Sequence, residues 1–232
     1  MQTKQQKAAF DKLSKLKVGA LFMEMGTGKT KLALDLISSK KRKIDYVLWI
    51  CPCSLKGEIA AERDKWYPDL ELDIVGCESL GSSDRIFLET LGKMAEKKVF
   101  VVVDESLKIK NRRAKRTQRI LQIGECAAYR FILNGTPISK NILDMWTQMQ
   151  FLSPKILDMS FSEFRNTYCE YYTKGQFKGT IRRQVNIPHL ISLIEPYIYE
   201  CKLEIEAEKY YEYVDYHLNS KSEYEAYKDK IF

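Results

Sequence analysis

Long hydrophobic runs are what this sequence most plainly lacks. No apolar stretch approaches the ~20 residues that a membrane-spanning helix needs, so a helical membrane protein is not expected. The opening residues Met1-Gln2-Thr3-Lys4-Gln5-Gln6 have no apolar signal region behind them, which argues against an export leader. Histidine is scarce, with two in 232 residues, and the six cysteines at 51, 53, 77, 126, 169 and 201 are scattered. Cys51 and Cys53 are separated only by Pro52, and neither a second pair nor a histidine cluster completes a zinc site. Several of the cysteines sit in apolar runs, where a free thiol behaves as a small hydrophobe. The expectation is a reduced, cytosolic chain. Internal repeats and low-complexity stretches are also missing.

What is present suits a globular protein. A length of 232 residues allows one large domain or one domain with an appendage, and 45% hydrophobic residues suffice for a core. The net charge of +7 says less than its distribution. Lys108, Lys110, Arg112, Arg113, Lys115, Arg116 and Arg119 fall within twelve residues, and Lys40 to Lys43 form a second basic cluster. Such runs are usually solvated faces, so charge alone leaves nucleic-acid binding open.

Apolar periodicity places a helix over residues 4–16, with Ala9, Leu13 and Leu16 at helical spacing. Short apolar runs at 18–23, 46–51 and 99–103 read as strands buried on both faces, with weaker strands at 72–75 and 129–133. Helices are expected at 56–66, 84–96 and 142–151 between them. Strands alternating with helices at this spacing predict a parallel sheet covered on both faces. After Pro154 the character changes: 161–172 reads as helix, 176–182 as a small hairpin, and 204–230 as a long, tyrosine-rich, charged helix. Its tyrosines fit an amphipathic packing face better than a stacking platform for bases. Ser54, just after Pro52, is placed either to cap the helix that follows or to contact phosphate.

The stretch that organises the rest is Gly26-Thr27-Gly28-Lys29-Thr30, between the first strand and the amphipathic run Lys31 to Ile37. Strand, glycine turn and helix in that order make a phosphate-binding loop, because backbone N–H groups and the helix N-terminus converge on anionic oxygens. Lys29 would reach the terminal phosphates and Thr30 would hold Mg²⁺. The full pattern has glycine at position 23, where this chain has Met23. About seventy-five residues on, Asp104-Glu105 closes the most β-branched strand. At the carboxyl edge of a parallel sheet, where ligands bind, such a pair suits phosphoanhydride hydrolysis. Asp104 would hold Mg²⁺ mostly through water, and Glu105 would orient and deprotonate the attacking water.

These motifs together resemble the first RecA-like lobe of a superfamily 2 helicase, with DEAD/DEAH-box-like character, and within it the Swi/Snf-like DNA-dependent ATPases. Met23-Glu24-Met25-Gly26-Thr27-Gly28-Lys29-Thr30 is similar to that group's Asp-Glu-Met-Gly-Leu-Gly-Lys-Thr loop, which also lacks the first glycine. Asp104 to Asn111 resembles its Asp-Glu-x-His-x-x-Lys-Asn signature, with Leu107 in the histidine position. Leu133 to Asn141, containing Gly135-Thr136-Pro137, resembles the stretch that couples nucleotide state to DNA, with Asn134 replacing the usual Ser or Thr. Leu143 to Trp146 and Phe151 to Pro154 continue the likeness, which is looser afterwards. The compact form resembles phage-encoded members, whose setting would be the host cytoplasm.

The resemblance implies an α/β RecA-like lobe over 1–154 and a small, mostly helical extension over 155–232. It implies ATP and Mg²⁺ as cofactors and DNA, double-stranded, as partner. Gln6 matches the glutamine that reads adenine, beside Gly26, Thr27, Gly28, Lys29 and Thr30. Ser54, Glu78 and Ser79 match DNA-facing segments, and Arg112 and Arg113 would meet phosphates. Nothing after Pro154 resembles the second lobe's Gln-x-x-x-Arg-x-x-Arg element, so a second RecA-like lobe is expected from a longer chain or a partner. Two other classes stay open: a non-catalytic nucleic-acid-binding or regulatory module, and another phosphate-loop enzyme such as a GTPase or small-molecule kinase. Intact Lys29, Asp104 and Glu105 count against the first, and the absence of Asn-Lys-x-Asp counts against a GTPase.

Overall fold

The computed structural model describes residues 2–174 and 176–202. Its first half alternates helix and strand: α1 (Lys4–Leu13), β1 (Val18–Met23), α2 (Lys29–Ser38), β2 (Tyr46–Cys51), α3 (Lys56–Trp66), β3 (Asp73–Gly76), α4 (Cys77–Ser82), α5 (Asp84–Met94) and β4 (Val99–Val103). Then come α6 (Lys115–Glu125), β5 (Tyr129–Asn134), α7 (Leu143–Leu152), α8 (Pro154–Leu157) and α9 (Phe161–Tyr168). A hairpin of β6 (Cys169–Tyr171) and β7 (Ile181–Gln184), then α10 (Ile187–Ile194) and β8 (Ile198–Cys201), complete the described chain.

Six strands form one sheet in the order β3-β2-β4-β5-β1-β8, every pair parallel. The nearly unbroken apolar runs follow from burial on both sides, since successive residues of a strand point to opposite faces. Ala20, Leu48, Ile50, Val101, Val103 and Ile132 face α6 and α7, meeting Ile120, Ile123, Met145 and Met149. Their neighbours Leu21, Trp49, Phe100, Val102, Phe131 and Leu133 face α1 and α2, meeting Leu13, Leu32 and Leu36. Trp49, Phe100 and Phe131 are essentially fully buried, and each contributes roughly 1.5–3 kcal/mol by leaving water. Phe100 and Phe131 also stack at 5.3 Å.

The region after Pro154 departs from expectation in two places. The helix expected over 161–172 ends at Tyr168, and Cys169–Tyr171 pair antiparallel with Ile181–Gln184. The hairpin expected over 176–182 therefore has its first strand earlier in the chain. Glu170 and Arg183 lie across it in a two-pronged ion pair, both contacts 2.7 Å, and cross-strand pairing of this kind competes with helix extension. The second difference is β8, which lies parallel to β1 with Leu21 opposite Tyr199 and extends the main sheet. The long helix expected over 204–230 lies outside the described residues. Among those described, no helix is long and apolar enough to cross a membrane.

The strand order sets three connections on one edge of the sheet. The loops leaving β1, β4 and β5 are neighbours there, because β5 lies between the other two.

Candidate active site

The loop leaving β1 is wound by two glycines in the left-handed region, Gly26 at φ 82° and Gly28 at φ 79°. Gly28 caps α2, so Lys29 and Thr30 are its first two residues. The turn is braced internally: the Thr27 hydroxyl donates to the Glu24 carbonyl at 2.6 Å. It is braced from outside by Gln6, whose amide nitrogen donates to the Thr27 carbonyl at 3.0 Å. Gln6 is buried, and its side-chain oxygen accepts from Thr3 N–H in the capping box that starts α1. The glutamine expected to read a base holds the loop in this structure. A Cβ on residue 28 would stand 2.2 Å from the Gln6 amide nitrogen, in a backbone region that side chains avoid. Gly28→Ala is accordingly expected to weaken ATP binding at least tenfold by displacing Gln6 and distorting the turn, checked by isothermal titration.

Asp104 follows β4, donating its backbone N–H to Ile50 at 2.7 Å, and is 6% exposed. Burial pushes its carboxyl group up to about 6. The Glu105 N–H, at 2.9 Å, and the Lys29 charge pull the other way, while the Glu105 carboxylate adds to the rise. Glu105 itself sits at φ 50°, ψ 53°, left-handed for a non-glycine residue, and opens the 3-10 turn Ser106–Ile109. Strain of this kind costs of order 1–3 kcal/mol and tends to persist at functional sites. Leaving β5, the Asn134 side chain accepts the Thr136 N–H at 2.9 Å and shapes the turn Gly135-Thr136-Pro137. A Cβ on Gly135 would lie 4.0 Å from Lys29 Nζ, so the lysine amine reaches under this turn. A cleft of about 500 Å³ opens between Met25, Glu105, Leu107 and residues 134–136.

This arrangement fits a phosphate ligand with a divalent cation. A left-handed glycine turn at a helix start leaves backbone N–H groups free to face an anion, and the Gly28 turn packs directly on Gln6, with no room for a side chain. Neither Lys29 nor Asp104 has an ion-pair partner within 4.0 Å among the described residues. Among those residues, no three His, Cys, Asp or Glu side chains cluster to hold a metal unaided. A cation at Asp104 therefore needs oxygens supplied by a ligand and water.

The expected nucleic-acid residues fall in two places. Ser54, Glu78 and Ser79 gather beyond β2 and β3. Ser54 is exposed and does not cap α3, whose N-cap is Leu55 with no side-chain hydrogen bond. A 3-10 turn over Cys53–Leu55 takes up Ser54, and the Glu78 carboxylate accepts the Cys53 N–H at 3.0 Å. Burial raises its pKa, but hydrogen bonds from the Cys53 and Glu78 N–H groups and neighbouring side chains outweigh that and hold it at about 2. An anion held there suits a brace better than a phosphate ligand, and Lys108 Nζ lies 3.7 Å from it. Arg112 and Arg113 are exposed, with Arg112 stacked on Phe161 at 4.4 Å. Arg119, from the same basic run, is buried and donates to the carbonyls of Leu80 and Ser83 while pairing with Asp84. The basic run is therefore part structural.

Ser106 and Gln148, which no motif singles out, are both fully buried and hydrogen-bonded to each other at 2.6 Å. A signal existed: Gln148 lies between Met145, Met149 and Leu152 on the buried side of α7.

Comparison with known proteins agrees with this geometry. The profile of the SNF2-related domain family matches residues 7–230. The chain is 27% identical over 217 residues to the chromatin structure-remodeling complex subunit snf21 of Schizosaccharomyces pombe, covering 82% of this chain and 18% of that protein. It is 29% identical over 177 residues to the transcription regulatory protein SNF2 of Saccharomyces cerevisiae, covering 64% and 10%. Among solved structures, the Sulfolobus solfataricus SWI2/SNF2 ATPase core in complex with dsDNA superposes with a TM-score of 0.70 at 25% identity, over 87% of this chain and 44% of that one. The chain thus spans less than half the length of these relatives. With a family match over nearly all its residues, on the fold and loops described above, the chain belongs to the SNF2-related domain family.

Proposed function

We propose that this lobe binds ATP with Mg²⁺ and, together with a second RecA-like lobe, hydrolyses it in response to duplex DNA. The observation that carries this is the convergence of Lys29, Asp104, Glu105 and the Gly135–Pro137 turn at one edge of the sheet. Lys29 would neutralise the terminal phosphates, and Thr30 and Asp104 are the residues that would hold Mg²⁺. When bound, Mg²⁺ supplies charge neutralisation on the phosphate oxygens. Glu105, fixed by its left-handed backbone, orients the attacking water and takes its proton. Coverage of under half of the Sulfolobus core supports a second lobe elsewhere, the expected source of an arginine for the transition-state charge. Ser54, Ser79, Arg112 and Arg113 are the phosphate-facing candidates for DNA, with Glu78 bracing the first pair.

The test is ATP turnover with and without duplex DNA at low and moderate salt, beside Lys29→Ala. Turnover stimulated by DNA, weakened by salt and lost in Lys29→Ala, supports the motor reading. Nucleotide binding without any DNA-stimulated turnover, even with the second lobe supplied, favours the non-catalytic module. No nucleotide binding overturns the site.

A further inference from the structure

Gln148 is the one described side chain hydrogen-bonded to both the turn after Asp104-Glu105 and the turn containing Gly135-Thr136-Pro137. Its oxygen accepts the Ser106 hydroxyl at 2.6 Å, and its nitrogen donates to the Pro137 carbonyl at 2.8 Å. The second amide hydrogen goes to the Asp144 carbonyl one turn back in α7, at 2.9 Å. Every strong hydrogen-bonding group of the amide except one lone pair is thereby used, in a place closed to water. The rest of the first two turns of α7 reinforces the bracket. The Thr147 hydroxyl donates to Lys110 at 3.2 Å, and Asp144 accepts the N–H groups of Ser139 and Lys140 at 2.9 and 3.0 Å. A solvent-exposed link from Lys110 to Ser139 also joins the two loops, but exposed contacts of this type are screened and weak.

We propose that Gln148 is a positioning residue of the ATPase, transmitting displacements of the Asp104-Glu105 turn through Ser106 to the Gly135–Pro137 turn. Ser106 follows directly on Glu105, so a shift of the strained Glu105 backbone moves the Ser106 hydroxyl. Gln148 has both its donors and its acceptor committed, and it follows or breaks a buried bond. Leaving one buried polar partner unpaired costs ~1–3 kcal/mol, enough to make the two turns move together. Leu107, in the position where the resembling signature has histidine, offers no polar route of its own. The inference rests on the nucleotide-site reading.

The test compares wild type, Gln148→Leu and the double variant Ser106→Ala/Gln148→Met, by amide exchange with and without ATP·Mg²⁺ and by DNA-stimulated turnover with the second lobe supplied. In wild type, nucleotide should slow exchange at 26–30, 104–109 and 135–140. In Gln148→Leu, protection at 26–30 should remain while the response at 135–140 disappears. Stimulated turnover should then fall about tenfold or more with KM within about twofold, since small misplacements of reacting groups are that costly. In the double variant both hydrogen-bonding partners are apolar, so Tm should recover while coupling stays lost. Recovery of the 135–140 response together with Tm would show that Gln148 only holds the fold, and would overturn the proposal. Absence of protection at 26–30 in wild type would overturn the nucleotide site, and the relay with it.

Discussion

Glu105→Gln is expected to lower ATP turnover by two to three orders of magnitude while nucleotide affinity changes by less than about threefold, the range typical of losing a positioned general base. Glu105 lies outside the glycine turn of Gly26 to Thr30 and lines the cleft that faces the Gly135 turn. A glutamine keeps its size and one acceptor, so the left-handed turn at residue 105 should persist. What disappears is the capacity to take a proton. Single-turnover hydrolysis alongside equilibrium ATP binding separates the two effects. A parallel loss of affinity would instead place Glu105 in the binding cradle.

Asp104→Asn should abolish turnover as well, yet make the nucleotide-free protein more stable at pH 7.5 by roughly 3 kcal/mol, because a carboxyl group held near 6 instead of 3.8 is costly to ionise in place. The sign follows from proton binding. Between about pH 4 and pH 6 the folded chain keeps the proton that the unfolded chain has released, so this group's contribution to stability falls as pH rises through that window. Above about 6 the ionised carboxylate is buried and the full cost is present. Asparagine stays neutral and can still accept the Glu105 N–H through its oxygen. Urea unfolding at pH 4.5 and pH 7.5 should show the full gain at the higher pH and only about a third of it at the lower. Equal stability of variant and wild type at both values would mean that the carboxylate is not strained by burial. A residue that destabilises the empty site and is needed by the loaded one matches the usual opposition between stability and function. The same titration should weaken Mg²⁺ binding below pH 6, as protons compete for Asp104.

Much of the site was legible because it rests on local chemistry. A glycine turn between a buried strand and an amphipathic helix can be recognised wherever it occurs, since only glycine suits the φ values near 80° found at residues 26 and 28. The Asp104-Glu105 pair could be placed because Val99 to Val103 could only be a buried strand, and its end had to lie at an edge. Ser54 shows the limit. A serine between a proline and a helix is a sound capping signal, but Ser54 is taken up in the 3-10 turn Cys53–Leu55 that runs straight into the helix, so the cap position falls to Leu55. Arg119 shows it again: within a run of seven basic residues it is the one turned inward, onto the carbonyls of Leu80 and Ser83.

Local pattern therefore determined the α/β alternation, the parallel sheet, the glycine turn at the start of α2 and the acidic pair at the end of β4, all properties of segments a few residues long. The tertiary structure alone decided that Cys169–Tyr171 leave the helix for a hairpin, that Ile198–Cys201 return beside β1, and that Gln148 ties two loops together. Each of those outcomes depends on a partner in another element, from ten residues away for the hairpin to well over a hundred for Ile198–Cys201. A four-residue strand carries too little pattern to announce itself, and a buried amide is stable only once its distant partners are in place.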